Sequence, residues 1–107
     1  MLIFPLKKEW YEKIKSGEKT IEYREVKPYW NNRIKNEVSK LLDNDDLQKN
    51  KVYYIPKVSC KLRLGYTSKY MTAYITKIEV VDGKDTDLHI DKPVYAIHLE
   101  DVREEKF

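Results

Sequence analysis

Ser16-Gly17-Glu18-Lys19-Thr20-Ile21-Glu22-Tyr23-Arg24 is the stretch on which the fold turns. Just upstream, Leu6, Trp10 and Ile14 recur every four residues with Tyr11 beside them, the apolar stripe of a helix. Gly17 follows that stripe where a helix commonly ends in a left-handed residue. From Thr20 to Val26 the period changes to two: Ile21 and Tyr23 share one face, Thr20, Glu22 and Arg24 the other. A helix therefore gives way to a strand within a few residues, and the strand emerges carrying charge.

Working outward, Leu2-Ile3-Phe4 reads as a short buried strand. Pro28 opens a second helix, because its fixed φ suits a first turn. Trp30, Ile34, Val38 and Leu41 or Leu42 supply its buried stripe, and Asp43-Asn44-Asp45-Asp46 stops it. Strand-like segments follow at Val52–Ile55, at Val58–Leu64 with Val58, Cys60, Leu62 and Leu64 on one side, and at Met71–Val81, bent where the apolar phase shifts near Lys77. Asp82-Gly83 is a turn, and Val94–Leu99 is the last strand, with Tyr95, Ile97 and Leu99 together. The expectation is a single α+β domain over residues 1–107: a small β-barrel of five to six mostly antiparallel strands with two flanking helices, closed because closure removes exposed edges.

A chain of 107 residues buries roughly two-thirds of its unfolded surface, enough for one core. Charged residues make up 36%, yet nine tyrosines and two tryptophans separate the chain from disordered sequences, which lack such large rings. Cys60 is the only cysteine and lies in an apolar alternation, so it reads as core and excludes an intrachain disulfide; a reducing, cytoplasmic setting is expected. The opening apolar run is too short for a signal peptide, and no window is long enough to span a membrane. His89 and His98 are nine residues apart with no cysteine partner, so no metal site or cofactor is expected. The net charge of +3 is unevenly spread: residues 1–40 carry ten basic and six acidic side chains, 51–80 six and one, and 81–107 four and eight. That distribution favours one positive face.

Three groups of residues can carry chemistry. Lys7 and Lys8 fall in the opening turn of the first helix, where the macrodipole already favours an anion. Glu22 and Arg24 share a strand face about 6–7 Å apart at Cα, with Lys19 in the turn before them; in a cleft they offer a base and a phosphate fork. Arg63-Leu64-Gly65-Tyr66 pairs a cation with a ring, as single-stranded nucleic acid sites do.

Pro5-Leu6-Lys7-Lys8-Glu9-Trp10 and the stretch from Ser16 to Arg24 resemble the ASCH domain family of the PUA-like superfamily. Gly17, Lys19, Glu22 and Arg24 match its Gly-x-Lys-x-x-Glu-x-Arg hallmark, and Glu25 to Trp30 with Arg63 to Tyr66 look like its short, phage-type members. The resemblance implies a small β-barrel with a cleft lined by the hallmark residues. Family members are viewed as RNA-binding or coregulator-type modules, and a few are enzymes. One branch hydrolyses acylated cytidines with a lysine, a threonine nucleophile and a glutamate; Lys19 matches that lysine, while Glu22 stands where the threonine would be. Another branch is ribonucleolytic. The expected function is a binding module for RNA or a nucleotide-like ligand, with Lys7, Lys8, Lys19, Arg24 and Arg63 as cationic donors, Glu22 as an acceptor and Tyr23 or Tyr66 as stacking rings. Its rival is a hydrolase on RNA or acylated nucleosides with Lys19 and Glu22 as catalytic pair. A third reading makes Glu100 to Glu105 a docking strip for a basic protein partner.

Overall fold

The computed structural model describes residues 1–39 and 52–105. Its elements run β1 (Leu2–Leu6), α1 (Lys8–Lys15), β2 (Ile21–Glu25), α2 (Pro28–Ser39), β3 (Val52–Leu64), β4 (Tyr70–Asp82), a short 3-10 turn (Gly83–Asp85) and β5 (Pro93–Glu104). The five strands form one strongly curled half-barrel in the order β1-β3-β4-β5-β2. β1 runs parallel to β3, and the other neighbours are antiparallel. The fold is α+β, as the two periodicities require.

Alternation decides which side chains fill the curl. Leu2, Phe4 and Leu6 of β1, Cys60 and Leu62 of β3, Met71, Ala73, Ile75 and Ile78 of β4, and Ile97 and Leu99 of β5 are buried together. The helices cover this trough with Tyr11 and Ile14 from α1 and Trp30 and Ile34 from α2. Trp30 stacks on Phe4, with ring centroids 5.2 Å apart and planes at 25°.

Complete closure does not occur. β1 and β2 remain the two edges, and their seam is crossed by a side chain: Arg24 Nη2 donates to the Pro5 carbonyl at 2.8 Å. Glu22 pairs in register with Ile97 and Arg24 with Tyr95, so the charged face of β2 is the one turned into the trough. Inward-pointing charge on an edge strand discourages further strand pairing. Glu22 also accepts from the Tyr23 backbone N–H at 3.0 Å, occupying an edge donor that a foreign strand could otherwise use.

Several boundaries differ from the sequence expectation. Leu6 closes β1 instead of opening the helical stripe, because α1 begins only at Lys8. The segments Val52–Ile55 and Val58–Leu64 are one strand, joined through a register shift between Tyr54 and Val58 that spans Pro56, a residue with no N–H for the ladder. The phase change near Lys77 is present as a shift between Ile75 and Lys77 against β5. β5 continues beyond Leu99 to Glu104, passing Asp101 at a positive φ of 52°. Leu41, Leu42 and the Asp43–Asp46 stop lie outside the described residues.

Between β4 and β5, residues 83–92 fold back on themselves around Gly83. Gly83 N donates to the Lys92 carbonyl at 2.8 Å, and the Gly83 carbonyl accepts from Ile90 N and the buried Thr86 hydroxyl. A Cβ at Gly83 would meet the Lys92 and Ile90 carbonyl oxygens at 2.6 and 2.7 Å, so only glycine permits so close an approach. Among the described residues no helix is long and apolar enough to cross a membrane.

Candidate functional site

Gly17, at φ 84°, turns the chain out of α1, and Lys19 N then bonds back to the Lys13 carbonyl at 3.0 Å. This brings Lys19 under the helix, next to the start of β2. Two residues of strand later the inward alternation delivers Glu22, and two more deliver Arg24. The result is a hollow of about 350 Å³ at the seam. β1 contributes Pro5 and Leu6 to it, α1 its preceding Lys7 and Trp10, and β2 the run Glu22, Tyr23, Arg24 and Glu25. Lys27 and Trp30 close one side; Asp87 and Leu88, from the 83–92 segment, close another.

The charges inside are mutually engaged. Glu22 Oε2 accepts from Arg24 Nη2 at 3.1 Å, and Oε1 lies 3.9 Å from Lys19 Nζ. Lys19 Nζ is also bound to Asp87 Oδ2 and stands 4.9 Å from the ring centres of both Trp10 and Tyr23. The Arg24 guanidinium lies 5.0 Å from the Trp30 ring and 5.4 Å from Phe4. Lys19 and Glu22 side chains are only 9% and 8% exposed, so each ion depends on its partners for the solvation it has lost. Arg24 Nε is buried with no acceptor among the described residues. Burial, followed by the charges of Asp87 and Glu79, pushes the Tyr23 hydroxyl above its ordinary value, which keeps that ring neutral.

Of the residues singled out from sequence, Lys7, Lys19, Glu22, Tyr23 and Arg24 share this hollow. Lys8, Arg63 and Tyr66 do not line it. Lys8 is exposed on the first turn of α1. Arg63 is spent on the β3–β4 loop, donating from Nε and Nη2 to the Thr67 carbonyl, and Tyr66 is 87% exposed at that loop. Of the acidic end, Glu104 accepts from the Tyr11 hydroxyl and Glu105 from Thr72, so both are taken up within the domain.

Trp10, Trp30 and Asp87 also belong to the hollow, and sequence reasoning does not find them there. The two tryptophans read as ordinary stripe residues, since periodicity reports that a ring faces inward but not whether space remains in front of it. Asp87 has no local signal, being 68 residues from the lysine it binds.

Cys60, His98 and Glu79 lie outside the hollow. Burial, with the nearby Glu22 charge, pushes the Cys60 thiol up to about 12, so it is an inert core group. His98 Nε2 and Glu79 Oε1 are 2.8 Å apart at a site that shares no residue with the hollow; that hydrogen bond holds the Glu79 carboxyl below the usual range. No group of three or more His, Cys, Asp or Glu side chains is arranged to hold a metal among the described residues. No protein-family model, curated protein or solved structure matches the chain.

Proposed function

We propose that this chain is an ASCH-type, PUA-like module that binds RNA by holding one nucleotide unit in the seam hollow. The observation that carries the reading is the composition of that hollow: two tryptophans and a tyrosine beside paired charges in about 350 Å³. That volume falls among small-ligand sites, and a nucleoside-sized group fills it. Aromatic faces accept any base by stacking, at about 1–3 kcal/mol per base. Glu22 and Asp87 retain acceptor lone pairs for the amino edge of a base. Lys7 makes no ion pair among the described residues and stands at the rim, where a backbone phosphate would pass.

A hydrolase would need Glu22 as a free base. Its oxygens are held by Tyr23 N–H, Lys19 and Arg24 with acceptor capacity left over, an arrangement that suits a fixed hydrogen-bond acceptor, and binding is the reading preferred.

Fluorescence anisotropy with a labelled single-stranded RNA oligomer tests the reading. One phosphate contact at Lys7 gives a salt slope near −0.7, so raising salt from 50 to 200 mM weakens binding about 2.5-fold. Trp10→Ala at constant salt costs about tenfold or more through lost stacking. Absence of binding at 50 mM salt, or an affinity indifferent to salt and to Trp10, overturns it.

A further inference from the structure

A second space adjoins the hollow. A space of about 340 Å³ is lined by Trp10, Lys19, Tyr23 and Asp87, which it shares with the first, and by Lys13 and Thr20 among others. The Lys19–Asp87 ion pair, flanked by the Trp10 and Tyr23 rings, therefore borders both spaces. Asp87 is 39% exposed, so its carboxylate is held there by Lys19 and by the carriage of the 83–92 segment rather than by burial.

Charge pairing in the first compartment is lopsided. Arg24 and Lys19 are matched by Glu22 and Asp87, and Lys27 lies 3.8 Å from Glu25. What is left over is Lys7, at the rim. A phosphate entering toward Lys19 would have to displace Asp87 and would then meet Glu22, whose carboxylate is already 3.9 Å from the same ammonium. A neutral base meets no such opposition; it gains two carboxylate acceptors and two ring faces.

We propose that Asp87 is a specificity-determining residue that keeps phosphate away from Lys19, so that the ligand enters base-first and its phosphate stays at the Lys7 rim. This rests on the nucleotide-binding reading above, but its central element, the masking of Lys19 by Asp87, can be tested on its own.

The test is calorimetric titration of the intact wild-type protein and of Asp87→Asn with inorganic phosphate, cytidine and cytidine 5′-monophosphate. In the wild type, inorganic phosphate at 10 mM gives no measurable binding, and the monophosphate binds within about fivefold of the nucleoside. Asp87→Asn unmasks Lys19: inorganic phosphate binds, and the monophosphate gains at least tenfold over the nucleoside. Asp87→Ser, which removes the charge with a smaller group, does the same, and the thermal unfolding midpoint of each variant verifies its fold. Equal phosphate binding in the wild type and both variants overturns the role given to Asp87. Phosphate gained in the variants while cytidine binds none of the proteins leaves Asp87 masking Lys19 but removes the nucleotide reading. Cytidine bound with no gain of phosphate does the reverse.

Discussion

Helix α1 touches two charge clusters, and the two differ in everything except their ions. On the side of Trp10 and Lys13, Lys19, Glu22, Arg24 and Asp87 border open space walled by rings. On the side of Tyr11 and Lys15, Glu104 accepts from the Tyr11 hydroxyl at 3.0 Å and pairs with Lys15 and Lys69 at 3.3 and 3.6 Å. Glu104 lines neither compartment beside Lys19, and the Tyr11 ring is wholly buried in the core. The Glu104 cluster is a clasp between α1 and β5. Convergent charge is thus a poor marker of a site by itself; the Glu22 cluster stands apart because it borders a hollow lined by aromatic side chains.

The contrast is sharpest in stability. Arg24→Ala removes the only side chain among the described residues seen to cross from β2 to the Pro5 carbonyl, and leaves the buried Glu22 with Lys19 at 3.9 Å as its remaining ionic partner. Breaking a buried pair from one side costs about 3 kcal/mol, which lowers the urea midpoint by roughly 2 M. Replacement of a partly exposed partner in the Glu104 clasp gives about a third of that loss, because solvent can serve the group left behind. If the two losses are equal, the seam is not held by Arg24 and the distinction between the clusters fails.

Much of this was legible from residues 16–24, and the parts that were not share a cause. The switch from period four to period two located α1 and β2, and Gly17 marked the turn between them, because those signals are local backbone geometry. Alternation also showed that Glu22 and Arg24 share a face. It did not show that this face turns inward, since burial of Ile21 and Tyr23 would ordinarily be preferred; the edge position of β2 beside the Pro5 carbonyl decides otherwise. The parallel pairing of β1 with β3, and the placement of Asp87 on Lys19, depend on contacts between distant segments. Arg63 and Tyr66 are the opposite case, residues grouped by sequence that the fold places away from the hollow. Their cation-and-ring pattern is real in sequence, yet Arg63 folds back onto Thr67 and Tyr66 points to solvent.

The smallest effect probes the clasp through pH. Burial raises the Glu104 carboxyl, but hydrogen bonds from Tyr11 and Lys15 and the charges of Lys15 and Lys69 outweigh it and leave it below the usual carboxylate range. A carboxylate depressed in the folded state contributes stability that is full above its unfolded value, near 4.3, and is lost as pH falls through the folded one. Tyr11 is shifted the other way, raised by burial and by its bond to Glu104. Its contribution is full below the unfolded tyrosine value near 10 and disappears as pH rises beyond it. One hydrogen bond therefore steepens both limbs of the stability profile. Glu104→Gln flattens the acid limb between about pH 5 and pH 3, and Tyr11→Phe flattens the alkaline limb above about pH 10, each by a few degrees in unfolding midpoint at most. Wild-type slopes at both ends in the two variants would show that the Tyr11–Glu104 bond does not hold in solution, and the clasp would then be no counterpart to the seam cluster.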